Sequence, residues 1–282
     1  MSNNGLTEEY LELFKEFIYN KSGIRFNLIN QVILESRIES SMKERNIFNV
    51  GDYFHLISTD KQELKLFLDN ITTNLTKFFR TESNFNLLKN KVLPIVLNNK
   101  KYSEPIYIWS SGCSTGEEPY SIAMTCLETS KIYPEKVKIY ATDISMQSLE
   151  VAKMGVYDKD KVANISDEYL NKYFDEMPNG KYKVKDYIKD MVSFEYHNLI
   201  TPNNRYLNID IVFCRNVLIY FDNESVKLTV NRFYDILNKH GFLFIGHSES
   251  LFGLDTKFKF NNIDSCFISP NASNVEQIMN TY

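Results

Sequence analysis

The sequence has no surplus of basic residues: 32 Lys and Arg stand against 36 Asp and Glu over 282 residues, a formal net charge of −4. A protein that binds nucleic acid without regard to sequence needs such a surplus to neutralise phosphates, so the composition argues against that class. Arginine in particular is scarce. Because a guanidinium offers a planar fork to carboxylates and phosphates, we follow each arginine as a candidate for a specific contact: Arg25, Arg37, Arg45, Arg80, Arg205, Arg215 and Arg232.

Cysteine and histidine are sparse and scattered, with four of each. The cysteines have no C-x-x-C spacing, which favours reduced thiols in the cytoplasm over disulfides or zinc, and the histidines form no metal-ligand cluster. No apolar run approaches the roughly 18 residues that a membrane span needs, and the polar residues 1–9 are unlike a signal peptide. We therefore expect a cytoplasmic protein that inserts into no membrane and uses no metal ion.

The hydrophobic pattern changes from helical to strand-like spacing near residue 103. Before that point apolar residues recur at helical spacing, as do Val32, Ile33, Ile38 and Met42. The sequence beyond it predicts a parallel α/β sheet with strands at 106–109, 137–142, 192–196, 209–214 and 242–246. Gly241 is expected to cap the last of three intervening helices, which are predicted at 119–127, 145–153 and 222–239.

Two further segments complete the predicted organisation. The stretch 157–190 contains a Pro178-Asn179-Gly180 turn and is expected to form an inserted hairpin. Residues 258–260 and 265–269 are expected to form a closing hairpin. We therefore predict a helical N-terminal domain over 1–75 and an α/β domain over 76–282, with a β-subdomain inserted at about 160–192.

The most informative segment is a glycine-rich turn over residues 110–117 (SSGCSTGE), between a predicted strand and a predicted helix. Glycines there let a ligand approach the backbone, and the helix N-terminus offers free N–H groups. Asp143 follows the second strand, where a carboxylate can accept hydrogen bonds from ribose hydroxyls. A nucleoside ligand is thus predicted across the strand ends, although Asp143 fits equally well as a helix N-cap.

The same turn matches G-x-S-x-G, the nucleophile elbow of serine hydrolases, with Ser114 as the nucleophile. A triad can be drawn from Ser114 with Asp210 or Asp222 and then His240 or His247. This alternative is weaker, because the turn follows the first strand of the sheet and no HGGG-like oxyanion segment precedes it. A cofactor-binding regulator without catalysis is a further alternative.

Other polar residues fall where strands end or where the domains join. Arg215 and Asn216 follow the strand 209–214, with Tyr220 shortly after, and His197-Asn198-Leu199 follows the strand before it. Ligands bind outside the carboxyl ends of the strands in open α/β sheets, so these residues are candidates for ligand contacts. The Thr- and Asn-containing run 72–80 is either a loop and capping site or a ligand-facing junction between the domains, in which Arg80 pairs with an acidic group.

Five ordered motifs together resemble the chemotaxis receptor methyltransferases of the CheR type over nearly the whole chain. They are Asn74-Leu75-Thr76 with Phe78-Phe79-Arg80, residues 112–121, Ala141-Thr142-Asp143-Ile144, residues 214–222 and residues 246–251. The resemblance implies a Rossmann-like class I methyltransferase domain with a mostly parallel sheet, a small all-α N-terminal domain and a small inserted β-hairpin. It also implies an S-adenosyl-L-methionine-dependent O-methyltransferase that converts chemoreceptor glutamates to methyl esters in chemotactic adaptation, with S-adenosyl-L-homocysteine as product.

The resemblance also implies the site residues. Tyr220 and Arg215 would be the catalytic residues. Tyr220 would line the methyl-transfer site and either orient the carboxylate or support the sulfonium, while Arg215 or Arg80 would fix one end of the cofactor. The implied cofactor contacts are Asn74, Thr76, Arg80, Gly112, Glu117, Asp143, Asn198, Leu199, Arg215 and Asn216. A glutamate substrate is already ionised at pH 7, so the reaction needs aligned atoms rather than a strong base, and the lack of a catalytic histidine is expected.

Contacts with the substrate protein are implied in two places. The N-terminal helix that carries Arg37, Lys43 and Arg45 would meet the acidic helical bundle of the receptor. Some family members grip a pentapeptide at the receptor C-terminus with a glycine-rich hairpin turn. The turn here, residues 177–181, is short and has one glycine, so we expect no such tether. The basic residue that the family carries in the helix after Arg80 is left unassigned, with Lys89 and Lys91 as the nearest basic residues.

Overall fold

The computed structural model describes residues 6–203, 205–258 and 266–268. Its N-terminal part consists of α1 (Glu8–Ser22), α2 (Gln31–Glu44), α3 (Val50–Thr59) and α4 (Lys61–Ile71). Short polar residues begin three of these helices, because the side chains of Thr7, Asn49 and Asp60 accept hydrogen bonds from first-turn backbone N–H groups. The apolar faces enclose a core of their own, which includes Leu11, Phe14, Ile38, Tyr53 and Phe67.

The apolar repeat of α2 is only partly buried. Leu34, Ile38 and Met42 recur every four residues and pack into the N-terminal core. Val32 and Ile33 keep 70% and 54% of their surface exposed. The first turn of α2 therefore presents apolar side chains to the outside.

A second helical run leads into the sheet. It consists of α5 (Glu82–Leu87), one π-helical turn (Leu88–Val92) and α6 (Leu93–Asn98). Nine strands follow within the described residues: β1 (Ile106–Ser111), β2 (Val137–Asp143), β3 (Val156–Tyr157), β4 (Phe174–Glu176), β5 (Tyr182–Val184), β6 (Val192–Tyr196), β7 (Ile209–Cys214), β8 (Leu237–Ile245) and β9 (Cys266–Ile268). The helices among them are α7 (Glu117–Leu127), α8 (Met146–Met154), α9 (Lys159–Val162), α10 (Asp167–Tyr173), α11 (Asp186–Lys189) and α12 (Asn223–Ile236).

Six strands form the central sheet in the order β6-β2-β1-β7-β8-β9, and all neighbouring pairs are parallel except β8 with β9. The predicted α/β fold is therefore confirmed. The chain runs outward from β1 to β2 and β6 and then returns to the other side of β1 as β7. This reversal of strand order leaves a crevice at the carboxyl ends of β1 and β7, which is where open α/β sheets bind ligands.

Every side chain of β7 is buried. Ile211 and Phe213 belong to the core cluster that contains residues of α7, whereas Val212 and Cys214 belong to the cluster that contains residues of α12. Both faces of the strand are thus covered, which explains the apolar run from Ile211 to Cys214. The same strand carries the chain directly into Arg215 and Asn216.

The remaining three strands form a small antiparallel sheet in the order β3-β5-β4, at the predicted inserted hairpin. The turn between β4 and β5 closes on itself, since the backbone N–H of Met177 donates to Lys181 O at 2.8 Å. Gly180 has a φ of 76° in this turn, in the left-handed region that favours glycine.

The predicted boundary after α12 is wrong. The helix ends at Ile236, and Gly241 lies inside β8 instead of capping a helix. Leu237 already pairs with Ile209 of β7, so the sheet takes up the chain earlier than the helical pattern suggests. Of the predicted closing hairpin, 266–268 form β9, which pairs with β8, and residues 259–260 lie outside the described residues.

Candidate active site

A cavity of about 320 Å³ opens where the strand order reverses. The loops after β1, β2, β6 and β7 line it, together with the connection between α4 and α5. Ten predicted site residues lie in this lining: Asn74, Thr76, Arg80, Gly112, Asp143, Asn198, Leu199, Arg215, Asn216 and Tyr220. The fold thus gathers residues from five separate parts of the sequence around one space.

Glu117, a predicted cofactor contact, lies outside this lining. Its buried carboxylate accepts a hydrogen bond from Thr115 Oγ1 at 2.6 Å, and Lys161 Nζ lies 3.7 Å from the other oxygen. Glu118, which is one residue and about 100° further around the helix, lines the cavity instead. Sequence reasoning missed Glu118, although two adjacent glutamates at a helix start cannot both face the same side.

The glycine-rich turn is closed by hydrogen bonds within the protein. The backbone N–H groups of Gly112 and Cys113 donate to Thr142 O at 2.7 and 2.9 Å. Gly112 has a φ of 82°, and a Cβ there would lie 2.4 Å from Val217 Cγ2, so glycine is needed for close packing of the two loops. The amides of these two residues are therefore engaged within the protein and are not available to a phosphate.

Asp143 lines the cavity and is 7% exposed. Its oxygens accept hydrogen bonds from the backbone N–H groups of Ser114 at 2.7 Å and Ser145 at 2.8 Å. Burial raises the pKa of the carboxyl group above its ordinary value, and these two hydrogen bonds oppose that rise. The N-cap of α8 is Ser145, not Asp143. Each oxygen of Asp143 retains a further acceptor direction for a ligand hydroxyl.

Ser114 is not in a catalytic triad. Its Oγ donates to Asn74 O at 3.3 Å. Asp210 and His240 lie near the beginning of β7 and β8, at the opposite end of the parallel strands from Ser114. Asp222 instead caps α12 and accepts a hydrogen bond from Tyr19 Oη at 2.8 Å. His247, the remaining candidate base, follows β8 and is exposed outside the cavity lining.

A buried ion pair forms one wall of the site. Arg215 Nη1 lies 3.1 Å from Glu118 Oε2, and the Arg215 side chain is 1% exposed. Arg215 Nη2 donates to Arg80 O at 2.7 Å, whereas Nε has no hydrogen-bond partner among the described residues. Burial raises the pKa of Glu118, and Arg215 opposes that rise. Arg80 contacts Arg215 through its backbone carbonyl oxygen. The Arg80 guanidinium group instead donates a hydrogen bond to Leu75 O.

The N-terminal part contacts the loop that carries Tyr220. Tyr220 ends a 3-10 turn, Leu218–Tyr220, and its carbonyl accepts a hydrogen bond from the backbone N–H of Arg25 at 2.8 Å. Ile24 and Phe221 form an isolated antiparallel bridge, and Ile24 itself lines the cavity. The segment after α1 thus forms part of the site, which sequence reasoning missed because no motif marks it.

The three basic residues proposed for docking differ in their surroundings. Arg37 and Lys43 are exposed, and an Arg37 Nη1 contact with Asn70 Oδ1 measures 3.4 Å. Arg45 instead forms an ion pair with Glu63, and its side chain is 17% exposed. Because this pair joins α4 to the residue that follows α2, Arg45 is not a free docking cation.

Membrane-spanning helices and metal-binding clusters are both absent from the described residues. There, no helix combines the length and the hydropathy needed to cross a bilayer. No group of three or more His, Cys, Asp or Glu side chains that could hold a metal ion occurs among the same residues.

Family models match nearly the whole folded chain. The CheR methyltransferase all-alpha domain matches residues 9–72, and the CheR methyltransferase SAM binding domain matches residues 74–267. This chain belongs to the CheR methyltransferase family. The chemotaxis protein methyltransferase of Borreliella burgdorferi is 38% identical over 263 residues, covering 89% of this chain and 91% of that protein. Those of Vibrio parahaemolyticus and Escherichia coli are 38% and 31% identical, covering 89% and 90% of this chain and 92% and 88% of theirs.

These matches confirm the fold, the cofactor and the reaction class that the resemblance implied. The protein is an S-adenosyl-L-methionine-dependent methyltransferase of chemotaxis. The cavity fits that cofactor, because Asp143 offers acceptor directions to ribose hydroxyls and Arg215 Nε is a buried donor still lacking an acceptor. The engaged amides of the glycine-rich turn also suit a nucleoside that carries no phosphate. Nothing in the matches supports a serine hydrolase.

Proposed function

We propose that the protein transfers a methyl group to glutamate side chains on the cytoplasmic helical bundle of chemoreceptors, and that it works in the cytoplasm. The observation that carries the proposal is the position of Tyr220. It lies half-buried in the cavity lining, beside Ile219, which is 49% exposed. A side chain from another protein can therefore enter the cavity next to Tyr220.

The cavity residues divide into two proposed roles. Asp143 binds the ribose, and Arg215 and Arg80 fix the other end of the cofactor. Asn74, Thr76, Gly112, Asn198, Leu199 and Asn216 complete the proposed cofactor contacts. Tyr220 orients the substrate carboxylate. Glu118 holds Arg215 in place through the buried ion pair.

The proposed reaction needs alignment and exclusion of water. When bound, the cofactor supplies an electrophilic methyl group on a sulfonium. The glutamate carboxylate is ionised at pH 7 and forms the new C–O bond without a general base. The protein therefore contributes by holding the carboxylate in line with the methyl carbon, which is catalysis by positioning. Ile24 and Tyr220, at the contact between the two parts of the chain, help to close the site to water.

We expect Tyr220→Phe to lower turnover by about tenfold or more, because the hydroxyl that orients the carboxylate is lost. Affinity for S-adenosyl-L-homocysteine should stay within about twofold, because the hydroxyl is proposed to face the substrate and not the cofactor. Initial rates with receptor-containing membranes and calorimetry with the product measure the two quantities. Tyr182→Phe, in the small sheet, is the matched control. Wild-type turnover in Tyr220→Phe would remove the hydroxyl from the mechanism.

We also propose that the receptor docks on the exposed face of α2 and the loop before it. Arg37 and Lys43 supply positive charge, and four neighbouring apolar residues are 54–92% exposed: Leu28, Ile29, Val32 and Ile33. This mixed surface suits an amphipathic helix with acidic positions. Arg45 is withdrawn from the docking set because of its ion pair with Glu63.

Reversing two docking charges, Arg37→Glu with Lys43→Glu, should lower the methylation rate at low salt by about tenfold through repulsion of the acidic receptor helices. Calorimetry with S-adenosyl-L-homocysteine should show wild-type affinity, since neither residue lines the cavity. Lys153→Glu with Lys239→Glu is the control for net charge, because both lysines are exposed and lie outside α2. An equal loss of cofactor affinity, or an equal loss of rate in the control, would rule out this docking surface.

We further propose that the enzyme needs no pentapeptide tether. The turn between β4 and β5 is supported by its own backbone hydrogen bonds and carries one glycine. We place the boundary between the helical domain (1–75) and the methyltransferase domain (76–282) at the connection after α4, with the inserted β-subdomain at about 160–192. No role is proposed for Lys89 or Lys91.

A further inference from the structure

A buried carboxylate that the proposed mechanism does not use joins the ends of β7 and β8. Glu249 is 9% exposed and lies four residues after β8. Its Oε2 accepts hydrogen bonds from the backbone N–H groups of Asn216, at 3.0 Å, and of Gly246. Its Oε1 accepts from the backbone N–H of Ile219 at 3.3 Å. One side chain thus binds three backbone amides in two loops.

The arrangement is costly for the protein. No Lys or Arg forms an ion pair with Glu249 among the described residues, so its charge is compensated by amide hydrogen bonds. Burying a carboxylate in this way is unfavourable unless several hydrogen bonds satisfy it. Burial raises the pKa of Glu118, and the charge of Glu249 adds to that rise.

The loop that Glu249 binds is residues 215–221, called here the β7 loop. Every residue of this loop except Leu218 lines the cavity. Asn216 adopts a φ of 60°, a left-handed conformation that needs support outside glycine. Glu249 accepts hydrogen bonds from the backbone N–H of Asn216 itself and from that of Ile219, the residue before Tyr220. The backbone N–H of Arg25 donates to the carbonyl of Tyr220 in the same loop.

The end of β8 is shaped to allow this contact. A Cβ at Gly246 would lie 2.8 Å from Glu249 Oε2 and 3.0 Å from the backbone nitrogen of Asn216. Any larger residue at 246 would therefore push the carboxylate away from the β7 loop. The contact that the Glu249 carboxylate makes therefore depends on glycine at position 246.

We propose that Glu249 is a positioning residue for methyl transfer, which fixes the β7 loop so that Asn216 meets the cofactor and Tyr220 meets the substrate. The inference rests on the proposed function of Tyr220 and Asn216. The proposal gives a role to the Gly246–Leu251 motif, whose residues do not line the cavity and take no part in the proposed reaction.

Glu249→Gln is the direct test, because the carboxamide keeps the shape but turns an NH₂ group toward a backbone N–H donor. Hydrogen exchange of a peptide covering the β7 loop should accelerate about tenfold or more, with β1 and α12 unchanged. The kcat for receptor methylation should fall about tenfold or more while KM for the receptor stays within about threefold, since docking lies elsewhere. Glu224→Gln, an exposed glutamate in the first turn of α12, is the matched control and should change neither.

Gly246→Ala provides a second route if Glu249→Gln folds poorly, and it should produce the same local exchange and the same fall in kcat. Wild-type exchange in the β7 loop, or wild-type kcat despite faster exchange, would overturn the proposal. Failure of the proposed function is distinguishable. Tyr220→Phe with wild-type turnover refutes the role of the hydroxyl, whereas hydrogen exchange in Glu249→Gln is measured without any reaction and still decides whether Glu249 fixes the loop.

Discussion

An Arg215→Met variant is expected to lose about 3–5 kcal/mol of unfolding free energy, because Glu118 is left as a buried carboxylate without its cation. Cofactor binding should be lost at the same time, since Arg215 lines the cavity. Urea unfolding followed by tryptophan fluorescence measures the first effect; the single tryptophan, Trp109, lies in β1. Calorimetry with S-adenosyl-L-homocysteine measures the second.

The stability deficit of Arg215→Met should shrink as the pH falls. Burial already raises the pKa of Glu118, and removal of Arg215 takes away the charge that opposes this rise. Between the pKa of Glu118 in the unfolded chain and its higher value in the folded variant, the folded state binds more protons, so acidification stabilises it. The double variant Glu118→Gln with Arg215→Met should regain most of the loss and show no such pH dependence. Wild-type stability of Arg215→Met at neutral pH would contradict the account.

The second large effect is expected from Asp143→Asn, which should weaken binding of S-adenosyl-L-homocysteine by about 10- to 100-fold. A hydrogen bond to a charged group contributes about 1.5–3 kcal/mol, and the carboxamide both loses the charge and turns an NH₂ group toward a backbone N–H or a ribose hydroxyl. Calorimetry at neutral pH measures the change in Kd.

Asp69→Asn is the control for this substitution. Asp69 is also a buried aspartate that accepts a backbone N–H, from Gln147 at 3.4 Å, but it does not line the cavity. Its variant should bind the product with wild-type affinity. Equal losses in both variants would show that the effect comes from general destabilisation, and unchanged binding in Asp143→Asn would remove Asp143 from the ribose contact.

Much of the fold could be predicted because its local signals agree with its packing. The strands 192–196 and 209–214 were predicted with the bounds that the structure gives them, since covered sheet faces require uninterrupted or alternating apolar residues. The end of α12 could not be predicted in the same way. Pairing of Leu237 with Ile209 is a contact between distant residues, and it overrides a helical pattern that continues to Lys239.

The sequence predicted which strand ends form the candidate site. It was less successful in predicting which single side chains face the cavity. Turns at the carboxyl ends of β1, β2, β6 and β7 must meet in a parallel sheet, so Gly112, Asp143, Asn198 and Arg215 were placed correctly in one cavity. Glu117 was chosen instead of Glu118 because sequence does not give the rotation of a helix about its axis. Glu249 lies in the motif at residues 246–251, but the sequence does not show that its carboxylate binds the loop after β7.

The most direct test of the central claim is the transfer of a methyl label to chemoreceptors. The purified protein, S-adenosyl-L-methionine labelled in its methyl group, and membranes that contain chemoreceptors are incubated together, and the receptor band is then treated with alkali. The account predicts label on the receptor that alkali releases as methanol, because glutamate methyl esters hydrolyse, and no label on receptors whose acceptor glutamates are replaced by alanine. An unlabelled receptor, or label that resists alkali, would contradict it.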